Sequence, residues 1–251
     1  DGIITGNAST GITVAGTTTA RTLTGTLAAL NTYFTTAGNI TYTSASNNDS
    51  PRTLTINISD LGNTGSGGTL TASTTSTINI TSVNDKPIVT AGATLAYTEN
   101  AAATLIDVTI TLADVDDAQL VSATVTLSSG FIAGDILGFT DQNGIAGTYD
   151  AANGVLSLVG NATKAQYQAA LRSVTYRSSL EDPTNNNTLV NRSRTISWQV
   201  TDANSGGAGT AALTSTLVTS TINLTATNDK PVVTAGGIIA YSENAAAVVI
   251  D

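Results

Sequence analysis

The chain has 251 residues, no Cys, Met or His, 4% aromatic and 11% charged residues, and a formal net charge of −9. That composition excludes disulfide frameworks and thiolate chemistry and removes the commonest general base, so no enzyme is expected. It also lacks the basic footprint of a nucleic-acid binder.

No apolar run approaches the roughly 20 residues that span a bilayer, so no membrane insertion by this segment is expected. Residue 1 is Asp and no signal peptide is visible, so the chain reads as a piece of a longer or processed protein. Thr, Val and Ile are abundant, and β-branched side chains favour pleated strands.

In chain order, Leu27 to Phe34 is a predicted short helix. Arg52 to Asp60 is a predicted strand, with Leu54, Ile56 and Ile58 on one face. A Gly-rich loop, Gly62 to Gly68, leads to a strand containing Ile78 and Ile80. Alternation resumes from Val121 to Leu127. Asp150 to Gly154 reads as a hairpin turn before Val155-Leu156. Thr163 is a predicted cap for a helix from Lys164 to Leu171, with Ala165, Tyr167, Ala170 and Leu171 on or near its inner side. Ile196, Trp198 and Val200 share a strand face. That phase puts Trp198 in a core rather than on a carbohydrate-stacking surface. A second Gly-rich loop, Gly206 to Gly209, follows.

The chain repeats itself. Asn84 to Asp107 and Asn228 to Asp251 are identical at 17 of 24 positions, at an offset of 144. Arg52 to Asp60 parallels Arg194 to Asp202 at an offset of 142, and Ser76 to Thr81 parallels Ser220 to Thr225 at 144. A period of this length means an array of domains. The expected frame is the back part of one repeat in residues 1–83, a complete repeat in 84–227, and the first strands of a third in 228–251. Short alternating strands with turns between them predict an all-β fold: tandem antiparallel Greek-key β-sandwiches with one short helix per repeat.

Half of the 18 acids fall at a few recurring stations: Asp60, Asp85, Glu99, Asp114, Asp116, Asp117, Asp202, Asp229 and Glu243. Three motifs stand in order: Val83-Asn84-Asp85-Lys86-Pro87, Tyr97-Thr98-Glu99-Asn100 and Asp114-Val115-Asp116-Asp117. Together they resemble the cadherin-like repeats of large bacterial surface adhesins. The resemblance implies immunoglobulin/cadherin-like sandwiches with Ca2+ held between consecutive domains. It implies ligands from Asp60, Asn84, Asp85, Asp114, Asp116 and Asp117 at the first junction. At the second it implies Glu99, Asp202, Asn228 and Asp229, with Glu243 repeating Glu99 one domain on. Calcium takes six to eight oxygens, more than any one short loop here offers. The chain departs from the family in placing Lys86 and Lys230 directly after the linker Asp, which implies fewer ions per linker, or none.

Each station also has a plain reading. Asp60 and Asp202 end strands before Gly-rich loops, where Asp forms Asx turns. Asp114 to Asp117 suits a polar loop, and Lys86-Pro87 suits a stiff linker. The chain's three Lys, two in linkers and Lys164 in the helix, are badly placed for an isopeptide staple.

The expected function is a calcium-stiffened spacer on a bacterial cell surface, with neighbouring repeats of the same chain as partners. One alternative is a self-assembling filament or surface-layer subunit completed by strand exchange. Another is a glycan- or partner-binding module using loops near Phe131 to Phe139 or Glu181 to Asn187.

Overall fold

The computed structural model describes residues 2–62, 65–185, 192–204, 211–231 and 233–250. Gly206 to Gly209, residues 63–64 of the first Gly-rich loop, and Asn186 and Asn187 lie outside the described residues.

Residues 2–83 form three separate antiparallel pairs and a helix. The elements are β1 (Ile3–Gly6), β2 (Ile12–Gly16), β3 (Arg21–Gly25), α1 (Leu27–Thr35), β4 (Ile40–Thr43), β5 (Arg52–Ser59) and β6 (Thr71–Ile78). β1 pairs with β4, β2 with β3, and β5 with β6. Alternation holds in β5, but Leu54 and Ile56 are only half-buried and Ile58 is exposed. Tyr33 is the one large apolar side chain fully buried among the described residues here.

The next stretch closes into a sandwich. Its elements are β7 (Ile88–Thr90), β8 (Thr94–Thr98), β9 (Thr104–Leu105), β10 (Thr111–Ala113), β11 (Gln119–Ser129), β12 (Asp135–Gly138), β13 (Ala146–Asp150), β14 (Val155–Thr163), α2 (Lys164–Arg172), β15 (Thr175–Ser178), β16 (Ser193–Asp202) and β17 (Val218–Thr225). A six-stranded sheet in the order β13-β14-β11-β16-β17-β8 faces the three-stranded sheet β12-β15-β9, and β7 pairs with β10. The architecture is all-β with two short helices.

One apolar core fills the space between the sheets, built from Val125, Leu158, Trp198 and Ile222 on one side and Leu137 and Tyr176 on the other. Trp198 is completely buried, and its indole N–H donates to Ser220 Oγ at 3.0 Å. Ser220 in turn donates to Asp107 Oδ2 at 2.6 Å. That carboxylate also accepts from the backbone of Gly92, Ala93 and Thr109 and from the Thr109 hydroxyl. Burial opposes the Asp107 charge, but these donors hold its carboxyl well below the ordinary range.

Three details depart from the sequence pattern. β8 runs parallel to β17, whereas antiparallel neighbours are expected throughout. The first long strand and the last then point the same way, so chain enters one end of the sandwich and leaves at the other. A bulge between Leu120 and Ser122 shifts the phase of β11, burying Leu120 and leaving Val121 only half-buried. In α2, Tyr167, Ala170 and Leu171 are buried but Ala165 is exposed. Two residues on a helix turn through about 200°, so Ala165 faces away from Tyr167.

The helix start follows from Thr163. Its hydroxyl accepts from Gln166 N, and Gln166 Oε1 accepts from Thr163 N at 2.9 Å, a capping box. We expect Thr163→Ala to cost about 1 kcal/mol in urea unfolding. Residues 228–250 are exposed and hold no strand among the described residues. The equivalent early segments of the sandwich lean on β15 and β17, and residues 228–251 contain no counterpart of either. Among the described residues, no helix is long and apolar enough to cross a membrane.

Candidate metal centre

The loop between β10 and β11 gathers three carboxylates. Asp114 Oδ1 accepts from the N–H groups of Asp116 (3.2 Å) and Asp117 (3.0 Å). This Asx turn curls the loop so that Asp114, Asp116 and Asp117 each offer an oxygen within 4.8 Å of the others. Lys164, the first residue of α2, secures the loop from behind. Its ammonium donates to the backbone carbonyls of Asp114 and Asp117. The Lys that is poorly placed for an isopeptide staple therefore positions the acidic loop.

The linker docks on the same loop. Asp85 N donates to Asp116 Oδ2 at 2.9 Å. Asn84 is buried, and its Nδ2 donates to Asp202 Oδ2 at 3.0 Å. Asp202 Oδ1 accepts from Asn204 N and Leu213 N, so its strand-end turn and its hold on the linker use different oxygens. Asp114 Oδ2, Asp116 Oδ1 and Asn84 Oδ1 are buried acceptors at this end with no hydrogen-bond partner among the described residues. A cleft of about 440 Å3 reaches Asp116 from the linker side, lined in part by Asn48, Asp49, Val83 and Asp85.

The electrostatics match the geometry. Burial, and then Asp116 beside it, pushes Asp114 up to about 6. Burial also works against Asp116. The N–H of Asp85 and the neighbouring Asp114 carboxyl nevertheless hold Asp116 below its ordinary value. Two ionised carboxylates have no proton to share, so this pair needs either a proton or a cation between them. The free oxygens are all hard acceptors, the donor type that calcium prefers.

The other end of the sandwich carries a second acidic group. Glu99 follows β8 and is buried. Its N–H donates to Thr225 O at 3.0 Å, and its Oε1 accepts from the Thr227 hydroxyl. A tight turn sets this position. Asn100 has φ 60°, Ala101 N donates to Thr98 O, and Tyr97 Oη donates to Ala101 O at 2.8 Å. The same turn recurs at Tyr241 to Ala245, with Asn244 at φ 63° and Tyr241 Oη donating to Ala245 O. It forms there without a covering sheet, so the turn is local in origin. Asp229 lies beside Glu99. Partial desolvation, then the Glu99 and Glu181 carboxylates, raise its pKa.

The structure sorts the expected residues differently from the sequence in two places. Asp202 lies with Asn84 at the first junction rather than at the second. Asp60 ends β5 as Asp202 ends β16, and its Oδ1 accepts from Gly62 N and Leu70 N at 2.9 Å. Those amides hold its carboxyl below the ordinary range, and Asp60 is no member of the acidic cluster. Its strand end corresponds to the opposite end of its own unit. Asn228 and Glu243 are exposed.

Two acids escaped the sequence reading, Asp49 and Glu181. Asp49 lies between β4 and β5 and Glu181 between β15 and β16, so each junction receives an acid from the same inter-strand loop. Of the loops considered for glycan binding, Phe131 and Phe139 pack against the core and form no exposed platform.

No family model matches the chain. A stretch of 134 residues, 51% of the chain, is 32% identical to halomucin from Haloquadratum walsbyi, and it spans 1% of that protein's length. Among solved structures, protocadherin gamma B2 extracellular cadherin domains 3–6 align with 90% of this chain and 40% of theirs, at 14% identity and a TM-score of 0.37. Human protocadherin-24 EC1-2 aligns with 92% of this chain and 82% of its own, at 11% identity and a TM-score of 0.32. At such scores it is the strand topology described above, and not these likenesses, that defines the fold.

Proposed function

We propose that this chain is part of a tandem array of extracellular surface repeats acting as spacers, with calcium at the junctions stiffening the linkers. The observation that carries the reading is the docking of the Asp85 amide on Asp116, inside a three-carboxylate group whose buried Asp114 and Asp116 oxygens lack donors. A cation there bridges the linker end and the sandwich, so its removal leaves mutually repelling carboxylates at the hinge. The likeness to halomucin, a mucin by name, agrees with an extracellular repeat protein. The acidic balance of −9 favours solubility and disfavours sticking to anionic envelopes.

The test is calcium titration by calorimetry on the 251-residue chain, combined with small-angle scattering before and after chelation. Binding is expected at about 10⁻⁴–10⁻³ M, the range of extracellular calcium modules, with a longer maximum dimension in calcium. No heat of binding, with length and melting temperature unchanged by chelator, would remove calcium stiffening and leave the spacer role standing.

A further inference from the structure

We propose that the outer face of the six-stranded sheet is a lateral contact surface, and that its partner is the same face of a second copy of this chain. Five neighbouring strands, β14, β11, β16, β17 and β8, contain only Arg194 and Asp202 as charged residues. Both are completely buried, so both point into the core. The outward side chains are hydroxyls, amides and small apolar groups. Thr124 stands between Ser157 and Gln199, and Thr126 between Val155 and Ser197. Thr221 stands between Thr195 and Thr94. A chain with a formal net charge of −9 repels its own copies. A broad face without carboxylates is where two copies approach at least cost.

Polar groups of this face bond within its own plane. Ser197 Oγ donates to Ser128 Oγ at 2.6 Å, and Ser128 Oγ donates to Thr195 O at 3.2 Å. The hydroxyls of Thr201 and Thr214 share a bond of 3.0 Å, and Gln199 Nε2 donates to Ser215 O at 3.2 Å. Groups bonded in this way can be covered without leaving donors unmet.

A second observation comes from the repeat. Across the offset of 142, the outward residues Thr53, Thr55, Asn57 and Ser59 of β5 become Thr195, Ser197, Gln199 and Thr201 of β16. Across the offset of 144, Thr75, Thr77 and Asn79 recur unchanged as Thr219, Thr221 and Asn223. The pairing is shared as well: Thr53 faces Thr77 as Thr195 faces Thr221, and Thr55 faces Thr75 as Ser197 faces Thr219. Inward positions change size over the same offset, with Ile56 becoming Trp198 and Ile58 becoming Val200. Solvent-facing positions are ordinarily the freest to change, yet here they keep their chemical kind. Strand propensity alone does not account for this, since it disfavours Asn and favours Val, Ile and Tyr as much as Thr.

The dimensions suit a weak contact. Six strands about 4.8 Å apart, each with about eight residues at about 3.3 Å, make a face of roughly 600 Å2. Two such faces bury roughly 1,200 Å2, the lower bound of a specific interface. Sheets stack face to face with their strands about 30° from aligned. One pair of sandwiches therefore associates weakly, and a tandem array that presents the face many times gains avidity.

The test is sedimentation equilibrium of the 251-residue chain in chelator, so that calcium plays no part. A reversible dimer is expected at the highest concentrations. It should tighten in high salt, because screening weakens the repulsion between the copies while an uncharged contact has no ion pair to lose. Thr221→Asp and Ser157→Asp, on different strands of the face, should each weaken dimerisation by about tenfold or more, because each copy then brings a carboxylate into the contact. Ala165→Asp adds the same charge at an exposed position of α2 and should leave dimerisation unchanged. The fluorescence of the buried Trp198 checks that each variant is folded. The proposal is overturned if the parent chain stays monomeric at the highest concentration in high salt. It is overturned equally if either folded face variant dimerises as the parent does, or if Ala165→Asp weakens dimerisation as much as they do.

Discussion

Asp135→Asn is expected to destabilise the sandwich built from β7 to β17 by about 3–5 kcal/mol, the usual result of removing one partner from a buried ion pair. Asp135 and Arg194 are both fully buried, with Arg194 Nε 2.6 Å from Asp135 Oδ2. The guanidinium also donates to Pro183 O at 2.8 Å, but that carbonyl carries no charge to compensate it. The carboxylate has further duties. It accepts from Tyr176 Oη at 2.6 Å and from Ile132 N at 2.9 Å, and the backbone carbonyl of Asp135 accepts from Tyr149 Oη. Burial, then the Asp135 charge, raises the Tyr176 pKa, so its phenol remains a donor. An Asn at this site leaves a charged guanidinium in the core facing an amide. The chain's single Trp, Trp198, is buried in this sandwich, so its fluorescence in urea reports on this unit alone. The double variant Asp135→Leu with Arg194→Met should recover most of the loss, because apolar replacement of a whole buried pair is commonly neutral or better. A single-variant loss below about 1 kcal/mol would mean that water reaches the pair.

How legible this was in the sequence depends on range. Period-two alternation revealed β16 and the burial of Trp198, because side-chain direction in a strand is a local property. Thr163 with Gln166 revealed the start of α2, because a capping box spans three residues. The clustering of acids revealed the Asp114 to Asp117 loop for the same reason. What escaped is pairing between distant residues. Asp135 and Arg194 are 59 positions apart, and nothing near either one names its partner. Strand order alone does not say at which end of a sandwich a strand finishes, so it places Asp202 with Glu99, whereas its carboxylate bonds Asn84. Once β8 is seen to run parallel to β17, the ends sort themselves: Glu99 and Asp229 lie at one, and Asn84, Asp116 and Asp202 at the other. Asp49 and Glu181 were missed because single acids in long loops carry no pattern. Asp107 was visible only as the last identity in a repeated segment. Its role needed the three elements that converge on it.

Calcium affinity at the first junction should fall by up to about tenfold per pH unit as pH drops through about 6, because a ligating carboxyl must shed its proton. Asp114 is the group concerned. In the absence of metal its folded pKa lies above its unfolded value of 3.8. Between those two values the folded protein keeps a proton that the unfolded chain has released. The stabilisation this gives is fully present below the unfolded value and is lost as pH rises through about 6. Calcium reverses the trend, since it takes the place of the proton between Asp114 and Asp116. Stability measured with calcium should therefore rise across the interval in which stability with chelator falls. Asp116→Asn separates charge from shape. The amide oxygen can still accept from Asp85 N, so the linker keeps its docking bond. The negative charge beside Asp114 is gone, however, and with it one cause of the raised pKa. The variant should bind calcium at least tenfold more weakly, and the pH-dependent step of its chelated form should move below 6 without vanishing, because burial still raises Asp114. Titrations at pH 5 and 7 decide the matter: equal affinities would remove Asp114 from the site, whereas a variant that binds weakly but keeps the step at about 6 would remove Asp116 as its neighbour in charge.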